Sequence, residues 1–139
     1  MANELTLLRQ TSIPERITVA DGTGIPKGTL LQLTDPNTGQ AKAATAVSVP
    51  CAGVAAAEKI ASNGETSVAV HKTGDFKATL SGACLIGDPL MFATGATNKV
   101  SKAKVLASGA HTLGTALEAG ANSETIRIKL SIGVGAGVA

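Results

Sequence analysis

The chain has 139 residues, enough for one domain, with a net charge of +2 and only 16% charged residues. It contains two Phe and neither Tyr nor Trp, so it lacks both the basic patch and the stacking aromatics of a nucleic-acid-binding surface. No apolar run approaches the roughly 18 residues of a membrane-spanning helix, and we expect neither nucleic acid nor a membrane as partner.

Residues 1–12 are predicted to form an extended N-terminal arm. Leu5 and Leu7 alternate with polar residues, as in a strand. The polar sequence Gln10-Thr11-Ser12 then interrupts this pattern before Pro14. Residues 13–132 are predicted to form a single β domain. Residues 133–139 are Gly- and Ala-rich and are predicted to be a flexible tail.

Short apolar runs separated by turn-forming clusters indicate an all-β fold, a small β-barrel or β-sandwich. The first strands are predicted at 16–20, 29–34 and 40–44, with turns at 21–24, 26–28 and 35–39. The Ala-rich segment 51–62 also fits a helix.

An internal repeat with an offset of about 60 residues favours a strand in this segment. The Gly53 segment GVAAAE resembles the Gly114 segment GTALE, and each is followed by an acidic residue and Thr that open a β-branched run. We therefore predict a strand over 54–59.

The stretch GDFKATLSGACLIGDPLMF, residues 74–92, carries both aromatic residues, Phe76 and Phe92, and is predicted to form the centre of the core. An apolar strand at 83–86, a Gly-Asp-Pro corner and a strand at 90–92 are expected within it. Further strands are predicted at 68–72 and 125–132. In the second of these, Arg127 and Lys129 face solvent and the intervening isoleucines and Leu130 face inward.

No constellation of residues indicates an active site or a cofactor. His71 and His111 have no partners at metal-ligand spacing, and no Gly-x-Ser-x-Gly occurs. Catalytic, cofactor-binding and metal-binding residues are therefore all predicted to be absent. Cys51 and Cys84 are predicted to be buried free thiols, although their spacing leaves a disulfide open.

The motifs between Gly28 and Ile132 resemble those of the capsid cement, or decoration, proteins of tailed bacteriophages and related viruses. They are GTLLQLT, GETSVAV, GDPLMF, GTALEAG and TIRIKL, in this order and spacing. The resemblance implies a non-enzymatic virion protein, usually a homotrimer. It implies binding to the major capsid protein on the outer surface of the assembled head. Because the sequence MANELTLLRQ has no apolar signal core, we expect synthesis in the host cytoplasm.

Under this resemblance, the arm is our candidate capsid contact. Strand addition would use Glu4, Leu5, Thr6, Leu7, Leu8 and Arg9. The alternative is that the arm packs on its own subunit or on a neighbouring copy. Other function classes also stay open: a spike, a head-fibre base or a tail protein, a small trimeric β enzyme, or a sugar- or ice-binding module.

Overall fold

All regular elements of the described chain are β-strands. The computed structural model describes residues 3–11, 13–34, 41–44, 50–93, 98–102 and 111–134. No helix in these ranges is long and apolar enough to cross a membrane. The strands are β1 (Thr6–Arg9), β2 (Glu15–Thr18), β3 (Leu30–Leu33), β4 (Ala41–Ala43), β5 (Cys51–Ala55), β6 (Ser67–His71), β7 (Thr73–Thr79), β8 (Pro89–Phe92), β9 (Val100–Lys102), β10 (His111–Ala116) and β11 (Thr125–Val134).

The strands form two antiparallel sheets, which confirms the predicted all-β class. The first sheet has the order β2-β6-β5-β3-β4, and the second has the order β1-β7-β11-β10-β8-β9. In each half one isolated parallel bridge joins the residue that follows the first strand to the last strand, Val19 after β2 to Ala41 in β4 and Leu80 after β7 to Val100 in β9. Neither sheet is a closed barrel. The architecture is therefore barrel- or sandwich-like.

Without β1, the two sheets have the same strand order at an offset of about 60 residues. The bridge between Ile25 and Lys59 in the first half has its counterpart between Cys84 and Gly120 in the second. This shared order is what an internal repeat would produce, and it supports the predicted one.

Each sheet has its own apolar core of equivalent positions. The first core contains Ile17, Val19, Ile25, Leu31, Ala41, Ala52, Ala55, Val68 and Val70. The residues at the matching positions of the second sheet are Ala78, Leu80, Cys84, Leu90, Val100, Leu113, Ala116, Ile126 and Ile128. A further layer joins the two halves and contains Leu5, Leu30, Cys51, Val54, Phe76, Phe92 and Leu130. Both phenylalanines are thus central, as predicted.

The segment at 51–62 begins with a strand, β5, and not with a helix. β5 spans residues 51–55, so it begins three residues before the strand predicted over 54–59 and ends four residues before the predicted end. A Cβ at Gly53 would collide with the His71 carbonyl oxygen, and a Cβ at Gly114 would collide with the Lys129 carbonyl oxygen. Close approach of neighbouring strands therefore explains why both copies have Gly here.

The prediction of a strand at 83–86 was wrong. Only Cys84 makes an isolated bridge there, and Leu85 and Ile86 are exposed. The Leu85 N–H donates to the Asp88 carboxylate at 2.7 Å, so the turn starts before Gly87. In β11, by contrast, Arg127 and Lys129 are exposed and Leu130 is buried, as predicted.

Two of the seven residues predicted to form a flexible tail belong to a strand. β11 continues through Gly133 and Val134, while residues 135–139 lie outside the described ranges.

Cys51 and Cys84 are both free and buried, in agreement with the predicted thiols. Burial raises the pKa of Cys51 from 9.0 to about 12, and it also raises the pKa of Cys84. Because thiolates are the reactive form, neither should react with a maleimide at pH 8 until the chain unfolds.

The Cys51 pKa also predicts an alkaline loss of stability. Between pH 9 and about 12 the unfolded thiol releases its proton while the folded thiol keeps it. The unfolded state then binds fewer protons, so the free energy of unfolding falls as pH rises. Urea unfolding at pH 7.5 and 10.5 should show this loss in the natural chain and a smaller one in Cys51→Ala. Equal losses would contradict the assignment.

Candidate functional site: the N-terminal arm and the groove beneath it

The N-terminal arm adds a strand to the chain's own second sheet. β1 pairs antiparallel with β7, Thr6 opposite Lys77 and Leu7 opposite Phe76, with an irregularity before Arg9. Leu5 is only 5% exposed and belongs to the layer between the halves. The structure therefore separates the six candidate residues, because Leu5 is a core residue and the other five are exposed.

A buried Asn fastens the arm to the first half. Asn98, which precedes β9, accepts a hydrogen bond from the Leu30 N–H at 2.7 Å. Its amide donates to the carbonyl oxygens of Asn3 at 2.9 Å and Gly28 at 3.1 Å. The Leu5 N–H also donates to the Gly28 carbonyl at 2.9 Å. The arm is thus attached both through its backbone and through the side chain of Leu5.

Sequence reasoning missed Asn98. Its φ of 57° is in the left-handed region, which Asn tolerates better than most residues. That preference is the only local signal, and it is shared by any Asn in a turn. Its three partners are far from it in sequence.

A groove of about 640 Å³ lies beneath the arm. Its apolar lining includes Leu5, Leu7, Pro14, Val54 and Phe76, and its polar lining includes Glu4, Gln10, Lys27 and His71. The groove therefore has a mixed lining, in which one acidic residue, Glu4, and two basic residues, Lys27 and His71, lie beside apolar side chains.

His71 is the unusual group of this groove. It is buried, and its ring packs edge-on against Phe76 with the centroids 5.7 Å apart. Its Nδ1 has no hydrogen-bond partner among the residues that the structure describes. Burial lowers the pKa of His71, and the positive charge of Lys27 lowers it further. The ring is accordingly neutral near pH 7.

The outer side of the arm is exposed. Leu7 and Leu8 are partly exposed, and Arg9 makes a loose 3.8 Å ion pair with Asp75. β1 is an edge strand of its sheet, so one of its edges faces no described strand. Strand addition remains possible only at that edge, since β7 occupies the other.

No metal-binding cluster accompanies this arm. Among the described residues, no three side chains of His, Cys, Asp or Glu lie close enough together to hold a metal ion. Glu58 and Glu118, matching acids of the two halves, are both exposed, and the Glu118 carboxylate accepts the Arg127 N–H at 2.7 Å.

Comparison with known proteins adds a family and a fold. The sequence profile of the family described as phage cement protein matches residues 12–132. The fold is similar to that of the head fibre gp8.5 N base of bacteriophage phi29, with a TM-score of 0.57 and 15% identity over 86% of this chain and 95% of that one. No curated protein sequence matches this chain.

Proposed function

Because this chain belongs to the phage cement protein family, we propose that it binds the outer surface of the assembled head and stabilises contacts between major capsid subunits. Membership makes it a phage structural protein associated with the capsid, and points to a non-enzymatic role. The match over residues 12–132, nearly the whole β domain, carries the proposal.

The proposed binding unit is a homotrimer, made in the host cytoplasm. Several large apolar side chains lie exposed on the described surface, among them Ile13, Leu85 and Ile86. Such residues are candidates for contacts with other copies or with the shell. Three linked copies would also turn individually weak contacts into tight attachment.

Purified protein mixed with expanded, undecorated heads tests both parts. We expect saturable binding, density on the outside of the shell by electron microscopy, and greater resistance of decorated heads to heating. Light scattering should give three times 13.7 kDa. Heads that bind no protein would refute the proposed function.

Within this function, we propose that the exposed side of the arm contacts the capsid. Leu8 is 42% exposed and does not belong to the buried core, so Leu8→Asp should leave the fold intact. We expect it to weaken head binding at least tenfold, because a charge would replace an apolar contact. Ile60→Asp, at an exposed residue between β5 and β6, is the matched control. Equal binding by both variants would exclude the arm contact.

The alternative is a head-fibre base. The fold resembles the base of the phi29 head fibre along nearly the full length of that base. Microscopy distinguishes the two, because a cement protein forms compact knobs on the shell and a fibre base carries a projecting fibre.

A further inference from the structure

The two halves of the chain contact each other through different surfaces. Leu31 and Ala55 belong to the core of the first sheet, whereas their neighbours Leu30 and Val54 belong to the layer that joins the two halves. Leu30 and Val54 therefore lie on the face of the first sheet that is opposite its own core. They share a buried cluster with Phe76, Phe92 and Leu130 of the second sheet.

The positions that match Leu30 and Val54 in the second sheet are Pro89 and Thr115. Leu30 pairs with Val54 between β3 and β5, and Pro89 pairs with Thr115 between β8 and β10. Pro89 and Thr115 are only half-buried. The second sheet thus presents the same outer surface, and the described part of the chain does not cover it fully.

Leu30 and Val54 pack on a surface of the second sheet that includes Phe92, and the first sheet has an equivalent surface. Leu33 pairs with Ala41 as Phe92 pairs with Val100, so Leu33 matches Phe92. Leu33 is 40% exposed, whereas Phe92 is buried. Leu33 borders a cavity of about 370 Å³, which is also lined by Cys51, Ala52, Lys72, Thr73 and Ser131.

Two equivalent turns show the same difference. Gly28 and Gly87 both have φ of 85°, and their N–H groups donate to the equivalent carbonyls of Ala55 and Ala116. The arm covers Gly28, whose carbonyl accepts the Leu5 N–H. Gly87 is exposed, and no described residue donates to its carbonyl.

The residues before Gly87 are apolar as well as exposed. Leu85 is 64% exposed and Ile86 is 72% exposed, at positions where the first half has Pro26 and Lys27. An uncovered apolar turn at the place where its equivalent is covered indicates a missing contact.

The surface that would receive this apolar turn lies at the residues before β2. Within the chain, the arm fills the space between the Gly28 turn and Gly74 in β7, where the Arg9 carbonyl and the Leu7 side chain approach. The position that matches Gly74 in the first half is Ile13. Glu15 matches Phe76, and Ile13 precedes Glu15 by two residues, as Gly74 precedes Phe76. Ile13 is 84% exposed.

We propose that these surfaces bind each other between copies of the chain, repeating the contact that the two halves make within it. Leu85, Ile86, Pro89 and Thr115 of one copy would pack on Ile13 and Leu33 of the next. The proposal rests on the homotrimer proposed above and assigns its interface. Since the two surfaces differ, the contact is heterologous, and three copies close into a ring in which both surfaces are used.

Cysteine crosslinking tests this assignment on the full chain. Ile13→Cys and Ile86→Cys, each alone, should give no crosslink with a short bismaleimide, because a heterologous contact does not bring a residue next to its own copy. A mixture of the two variants should give covalent dimers, and the double variant should give covalent trimers. The buried native thiols of Cys51 and Cys84 should not interfere.

Ile60→Cys combined with Ile86→Cys is the matched control, since Ile60 is 61% exposed but lies outside both proposed surfaces. Crosslinking at least tenfold faster for the Ile13 pair supports the proposal. A trimer in which both pairs react equally slowly would overturn the proposed interface and leave the proposed function standing. Crosslinks from Ile86→Cys to the capsid subunit on decorated heads, without any between copies, would also overturn it. A monomer both in solution and on heads would refute the trimer itself.

Discussion

Replacing Lys59 with Met is expected to lower the free energy of unfolding by about 3 kcal/mol, or on the order of 10 °C in Tm. The side chain of Lys59 is fully buried. Its ammonium donates to the Asp21 carboxylate and the Asn63 side-chain oxygen, both at 2.9 Å, and to the backbone carbonyls of Asp21 at 3.0 Å and Ile60 at 2.6 Å. Met keeps the volume and removes every donor.

The expected loss is at the low end for a broken buried ion pair because Asp21 is partly exposed and water can solvate it. Lys77→Met, which removes an exposed lysine from β7, should change stability by less than about 0.5 kcal/mol. Urea unfolding of both variants checks this. A Lys59→Met protein as stable as Lys77→Met would show that the buried ammonium does not stabilise the fold.

The loss of stability at acidic pH gives an independent test of the ion pair between Lys59 and Asp21. The hydrogen bond from Lys59 lowers the pKa of Asp21 below its ordinary value. The unfolded state therefore binds the Asp21 proton at a higher pH than the folded state, and this contribution to stability is lost as pH falls below about 4. In Lys59→Met the loss of stability on acidification should be smaller.

Replacing Asn98 with Ala is expected to cost about 3 kcal/mol. The change leaves the buried Leu30 N–H without its acceptor and the Asn3 and Gly28 carbonyls without the Asn98 amide. It also puts Ala at a φ of 57°, which Ala adopts with strain. Thermal unfolding measures the total.

Asn122→Ala is the matched control, because Asn122 is exposed and its side chain accepts one hydrogen bond, from the Gly82 N–H. It should cost less than about 1 kcal/mol. Hydrogen exchange then separates arm release from general destabilisation. In Asn98→Ala the Leu5 amide should exchange faster than amides of β11, and equal protection of both would contradict the role of Asn98 in holding the arm.

The sequence determined the elements whose signals are local. The alternation of Arg127 and Lys129 with Ile126, Ile128 and Leu130 places one face of β11 in the core, since successive side chains of a strand point to opposite sides. The spacing of Gly53 and Gly114 likewise predicted two equivalent strands and favoured them over a helix. Both phenylalanines were expected in the core because no other side chain of the chain buries as much apolar area.

The sequence left open where the arm packs, and only the tertiary structure decided it. Leu5 and Leu7 both alternate with polar residues, yet Leu5 is buried because β7 and the Gly28 turn accept it, and Leu7 is 37% exposed. Lys59 is buried because Asp21, 38 positions away, supplies oxygen atoms to its ammonium. Asn98 serves partners up to 95 positions away. Hydrogen bonds between residues so distant in sequence leave no local pattern, because their partners come close only when the chain folds.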